Sequence, residues 1–388
     1  MSEVDRLFFI QYYQSRINYY NSTECNLASG TELLKIAAEA SALRKILLDA
    51  GDEGYADFVG AIIAQTNALE QLQHFLTAAL ARLGPPSEKE RFYLYPELVR
   101  IDGLNDTQFG GGTLYELEDY ISKLDHESDS VLEIAHCFES AEQRHRWQAK
   151  TKILMTELAE FLFWIVRRLL QQPDAVPVLV LRDTLLIYFG LTWLHQRGLA
   201  IPRPRPIFFS RKFASSFESG ENAYERLGSD VLYGILYNTE NCDLLTLREL
   251  FVSQASRIFA KDNPFVKGSR ACLDGLSLNG SPFVIESGWQ GTFPLWLLTL
   301  TNNVGDFVLY TTSPWMYPIY QDIVFRKNYN YLRDMETIVA QEHLFQFSRF
   351  RDGLVMVEET RNPIATSLAR YELHLFKQLV EQKMREIP

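Results

Sequence analysis

Three short segments concentrate the residue types that could handle a phosphorylated ligand. Arg182-Asp183-Thr184 follows the apolar run 176–181 (VPVLVL), and Ser210-Arg211-Lys212 follows 206–209 (PIFF). Glu286-Ser287-Gly288-Trp289-Gln290-Gly291-Thr292 follows a third run that ends at Ile285. An arginine at a strand tip clamps phosphate or pyrophosphate through its planar fork of donors. In the third segment a carboxylate ends the strand, two glycines turn the chain, and Thr292 opens a helix. Glycine admits positive φ and close backbone approach. The first N–H groups of a helix are unpaired and stabilise an anion. A phosphate at residues 288–292 and a ribose-like diol at Glu286 would satisfy both halves of the segment. Each residue also has a plainer reading. Asp183 could cap the following helix, Arg211 could pair with Asp183 or Glu286, and Trp289 could pack beneath the loop rather than stack on a base or sugar.

For these segments to converge, the elements carrying them must be neighbouring parallel strands, because ligands bind beyond the carboxyl ends of such strands. The sequence supports that arrangement. VPVLVL is a continuous apolar run, as expected of a strand buried on both faces, and Pro177 is tolerable near its start. Further strands are predicted at 206–209, 283–285, 307–310 and, as a fifth, 354–357. Helices are predicted at 184–196, 222–238, 244–260, across 296–300, over most of 321–347, and at 366–385. Strands alternating with helices argue for an α/β domain with a mainly parallel sheet. Residues 1–172 read instead as an all-α domain. Ser29 and Glu32 have capping-box spacing ahead of Leu33, Ile36, Ala37, Ala40, Leu43 and Leu47. Further helices are predicted at 55–83, 114–123 and 141–172. Glu157 and Glu160 interrupt the apolar part of the last one, so it reads as a buried helix packed on the next domain rather than a membrane span. The expected division is therefore 1–172 and 173–388.

Composition narrows the function classes. The chain has 388 residues, 47% hydrophobic, and a formal net charge of -11 from 38 Lys+Arg against 49 Asp+Glu. That balance disfavours general coating of nucleic acid. Four scattered cysteines (Cys25, Cys137, Cys242, Cys272) form neither a disulfide framework nor a paired zinc pattern. With no basic leader at the N-terminus, the expected location is the cytoplasm. The seven histidines show no metal-ligand spacing, and there is no G-x-S-x-G elbow or Walker lysine. Gly110-Gly111-Gly112-Thr113 before a helix reads as a flexible loop more readily than as a phosphate site. Glu336, Glu342 and His343 read as solvated helix charges, and Glu358 with Glu359 as a strand end with some capacity for magnesium.

The order Arg-Asp-Thr, Ser-Arg, Glu-Ser-Gly-Trp-Gln-Gly-Thr resembles a bacterial module with the patterns R-D-G, S-R and D-x-G-[WF]-x-G-[ST]. That module occurs in phosphoribosyltransferase-like and haloacid-dehalogenase-like proteins. The resemblance spans residues 175–309, with Glu286 in place of the usual Asp and Thr184 in place of the usual Gly. It implies a phosphoribosyltransferase-like fold, in which Arg182, Ser210, Arg211, Ser287, Gly288, Trp289, Gln290, Gly291 and Thr292 hold a phosphorylated ribose or nucleotide. Glu286 and Asp183 would be the catalytic groups, and Glu286 would be the ligand of a magnesium ion that neutralises diphosphate. The expected function is binding, with glycosyl transfer or hydrolysis, of that ligand. Ser287 stands where a second adjacent carboxylate would aid diol and magnesium binding, so a nucleotide sensor or scaffold is the alternative. A dehalogenase-like sugar-phosphate phosphatase needs Asp-x-Asp after the first strand, and Asp183 has no second Asp. The helical part would supply a protein-partner or self-association surface.

Overall fold

The computed structural model describes residues 114–116, 119, 122, 134–181, 183–208, 223–239, 242–288, 290–312, 316–326, 338–340, 348–351, 354–358 and 363–385. The helices expected before residue 114, and Gly110 to Thr113, lie outside the described residues. So do Arg182, Ser210, Arg211, Lys212, Trp289, Glu336, Glu342, His343 and Glu359.

Four strands form the parallel sheet: β2 (Ala175–Leu181), β3 (Arg205–Phe208), β4 (Ser281–Glu286) and β5 (Asp306–Leu309), in the order β3-β2-β4-β5. β2 lies between β3 and β4, with Val178 opposite Arg205 and Ala175 opposite Ser281. β3 joins only from Val178 onward, so Pro177 is paired with β4 alone, through Phe283. That placement lets a strand interior tolerate a residue without an N–H.

Alternation along each strand divides the core into two layers. Val178, Val180, Val284, Phe307 and Leu309 enter one buried cluster, and Leu179, Leu181, Phe283, Ile285, Val308 and Tyr310 enter the other. Successive side chains on a strand point to opposite faces, so helices must cover both sides, and they do. On the first face pack α3 (Ala223–Arg226), the π-helix Leu227–Tyr233 and α4 (Gly234–Asn238), which form one continuous stretch, then α5 (Leu244–Ile258), α6 (Pro264–Gly275) and α7 (Thr292–Leu300). On the second face pack α1 (Ala141–Gln171), α2 (Leu185–Gln196) and the C-terminal helix Pro363–Met384.

α1 shows why the long apolar segment is a core helix. Ser140 caps it by accepting from the Gln143 amide, and Leu154, Leu158, Phe161, Leu162, Ile165 and Leu169 fall on a buried stripe at helical spacing. Glu157 and Glu160 are held by Arg326. No helix among the described residues is long and apolar enough to cross a membrane. Phe161 packs edge-on against Tyr310 at the end of β5, with ring centroids 5.1 Å apart.

Three expectations are corrected. Residues 114–116 form a strand, β1 (Leu114–Glu116), not the start of a helix. The run at 354–357 is a strand, β7 (Leu354–Glu358), but it belongs to a separate antiparallel sheet of order β1-β7-β6, with β6 at Ser348–Arg351. Glu358 is paired there with Leu114. Residues 321–326 are not helical; Val324 bridges to Leu309 and extends the pairing at the β5 edge.

Candidate functional site

The strand order β3-β2-β4-β5 has a switch point between β2 and β4, because the chain leaves β2 toward one side for β3 and returns to the other side for β4. In open parallel sheets such a point forms a crevice beyond the strand ends. Asp183, two residues past β2, and Glu286, the last residue of β4, meet at this point. Ser287 joins them by donating its hydroxyl to Asp183 Oδ2 at 3.1 Å. Thr184 occupies the N-cap position of α2 without a side-chain cap bond, and its hydroxyl turns back to donate to the Val180 carbonyl at 2.8 Å.

Glu286 is enclosed, with 8% of its surface exposed, and its Oε2 has no hydrogen-bond partner. Burial, and then the neighbouring Asp183 charge, push its pKa well above the usual carboxylate range. Thr292, 3% exposed, opens helix α7 (Thr292–Leu300), and its hydroxyl oxygen is likewise unpartnered. A buried polar group left unsatisfied costs about 1–3 kcal/mol. Two of them flank one loop, and among the described residues the protein itself fills neither.

The loop between them is held from outside the motif. Gly288 has φ 130°, and a side chain there would collide with the Thr311 carbonyl oxygen. Thr311 donates its amide to the Ser287 carbonyl at 3.1 Å, which fixes that close approach. Gly291, at φ 67°, is the left-handed N-cap of α7, and a Cβ there would sit 3.0 Å from the Tyr320 hydroxyl. Both glycines take the positive φ that the sequence suggested, and the protein's own packing at Thr311 and Tyr320 crowds any side chain at either position. Gln290 donates its side-chain amide to the Tyr233 hydroxyl, and its carbonyl accepts from the Tyr320 hydroxyl at 2.8 Å. Tyr320 is fully buried, and burial followed by the Glu286 and Cys242 charges raises its pKa well above normal, so it serves as a proton donor.

Sequence reasoning missed Tyr233 and Tyr320 as loop-holding groups. Tyr233 ends the π-helical stretch and Tyr320 ends a short turn, α8 (Tyr317–Tyr320); neither carries a motif. The structure brings together Asp183, Glu286, Ser287, Gly288, Gln290, Gly291 and Thr292 from the expected set.

The expected magnesium ligand is Glu286. Magnesium is held by charged oxygen ligands in a near-octahedral set. Here Glu286 favours its proton, the next position is Ser287, and the Ser287 hydroxyl is committed to Asp183. Among the described residues no three His, Cys, Asp or Glu side chains converge.

The fold and this rim define an α/β protein with a polar, partly unsatisfied switch point on a parallel sheet. Compared with protein-family models, curated proteins and solved structures, the chain matches none.

Proposed function

We propose that the protein binds a phosphorylated ribose or nucleotide at the β2/β4 switch point and transfers or hydrolyses its ribosyl group. The observation that carries this reading is the pair of buried, unpartnered oxygens, Glu286 Oε2 and Thr292 Oγ1, on either side of the loop that leads into α7. A phosphate at the start of α7 would accept from the Thr292 hydroxyl and gain from the positive end of the helix. The sugar hydroxyls would complete Glu286. Arg182, Ser210, Arg211 and Trp289 belong to the same proposal as anion and ring contacts, on the strength of their places after β2, β3 and β4.

Isothermal titration of the full chain with phosphoribosyl pyrophosphate and with nucleoside monophosphates, each with and without magnesium, tests the reading. Saturable binding that Thr292→Val weakens at least about tenfold is expected, since the lost bond is to a charged group. Absence of binding by every one of these ligands would contradict it. Ser287 in place of a second carboxylate favours one alternative, a sensor that binds the nucleotide and leaves it intact; unchanged ligand recovered after saturable binding would identify it.

A further inference from the structure

We propose that Glu286 is the proton donor, and Asp183 the proton acceptor, in hydrolysis of the N-glycosidic bond of a nucleoside 5′-monophosphate. This rests on the binding reading above and adds the reaction and the role of each carboxyl group.

The two groups terminate adjacent parallel strands but occupy different surroundings. Glu286 is enclosed, with an oxygen that has no partner in the protein, whereas Asp183 is partly exposed and accepts from Ser287. Two carboxyl groups in contrasting environments divide into an acid and a base. Among the described residues, the Asp183 charge acts on Glu286 and the Glu286 charge acts on Tyr320, whose hydroxyl is already given to the Gln290 carbonyl. Burial and the Asp183 charge raise the Glu286 pKa, the direction that favours its protonated form.

The identity of the leaving group follows from that proton. Pyrophosphate departs as an anion and has no need of a donor. A nucleobase departs poorly unless its nitrogen is protonated as the bond breaks. A buried protonated carboxyl beside the sugar therefore matches a base as leaving group. The C1′–N bond breaks with its electron pair going to the base nitrogen, which takes the Glu286 proton. A water oxygen bonds to C1′ and yields a proton to the Asp183 carboxylate. Free base and ribose 5-phosphate leave, and exchange with solvent returns the proton from Asp183 to Glu286. The Asp183 charge also stabilises the oxocarbenium-like transition state between these steps. Ser287 is a positioning residue: its hydroxyl fixes the Asp183 carboxylate.

The test incubates the full chain with AMP, GMP, CMP and UMP and separates free base and ribose 5-phosphate by chromatography, with calorimetry on the same nucleotides. The expected result is release of base and ribose 5-phosphate in equal amounts from at least one of them. The wild-type rate should fall as pH rises through deprotonation of Glu286. Glu286→Gln should retain nucleotide binding and lower the rate by about 100-fold or more, as loss of a general acid does. Ser287→Ala should lower the rate less and alter the acidic limb of the pH profile, which a merely structural role would leave in place. Nucleotide bound with no base released would overturn the inference while leaving the binding reading intact. So would a pH-independent wild-type rate, a result that needs no variant to fold. Failure of every nucleotide to bind would remove the binding reading first, and this inference with it.

Discussion

Glu286 and Glu372 are both buried carboxyl groups, and their different surroundings separate a site from a structural clasp. Glu372, 1% exposed in the C-terminal helix, accepts from the Val339 amide at 3.1 Å and the Ala340 amide at 2.8 Å. It ties the segment 338–340 to that helix. Burial raises its pKa to about 8, against the opposing pull of the two amides. Its folded-state proton affinity thus exceeds the unfolded value of 4.5, so the stability it contributes is full below that value and drains away as pH climbs to about 8. Glu372→Gln should flatten this dependence, closing a gap on the order of a few kcal/mol in urea denaturation followed across the window. Parallel curves for the two proteins would contradict the assignment. Thr292→Val makes the complementary case. Its hydroxyl has no partner to lose, so stability should hold or rise by about 1 kcal/mol in the ligand-free protein. A loss of several kcal/mol would show that the hydroxyl is structurally engaged. Glu286 and Thr292 were legible in the sequence because one segment of seven residues carries both. Tyr233 and Tyr320 were not, because each reaches Gln290 from a distant element and a tyrosine in an apolar stretch reads as core.

The elements of the parallel sheet were legible for a physical reason. Runs such as 176–181 are apolar at every position because both faces are covered. The same signal carries no information about partner or direction. The run LVMV at 354–357 therefore read as a fifth parallel strand, although it pairs antiparallel with β6 and β1. The helix Pro264–Gly275 went unread despite its start signal: Asn263 caps it by accepting from the Phe265 amide, and Pro264 occupies its first turn. Its internal glycine and short apolar face masked the period. At the loop before α7, the positive φ of the two glycines was legible, whereas the crowding by Thr311 and Tyr320 was not, because both reach the loop from distant elements. Gly288→Ala should cost about 3 kcal/mol or more in chemical denaturation, because both the positive φ and the Thr311 carbonyl oppose a side chain. Gly198→Ala, at φ 86° with open space around it, should cost only about 1–2 kcal/mol. Equal losses at the two positions would refute the packing explanation.

On the scale of the whole molecule, α1 and the C-terminal helix are chain-distant partners of one core layer. Gly190 of α2 allows Leu162 of α1 to approach closely, and a Cβ there would lie 2.6 Å from a Leu162 methyl group. Arg326 reaches from beyond β5 to Glu157 and Glu160, and Lys383 stands 3.8 Å from Glu160. Phe161 is fully buried between α1, Tyr310 and Phe325. Phe161→Ala should lower the stability of the sheet-containing unit by about 3–5 kcal/mol, read from its main unfolding transition. A transition left in place would mean that α1 unfolds apart from the sheet. The opposite face depends on Arg248, which donates to Asn303, Asp306 and the Gly305 carbonyl and so anchors Leu244–Ile258 to the turn before β5.

Both layers pack on the sheet that carries the β2/β4 rim, and the rim keeps two oxygens without partners. A crystal of the full chain soaked with ribose 5-phosphate addresses that point most directly. The account predicts density at the start of α7, with a phosphate oxygen at hydrogen-bond distance from the Thr292 hydroxyl and a sugar hydroxyl at Glu286. Finding both oxygens already bonded to protein groups or ordered water, with no sugar phosphate bound, would contradict it.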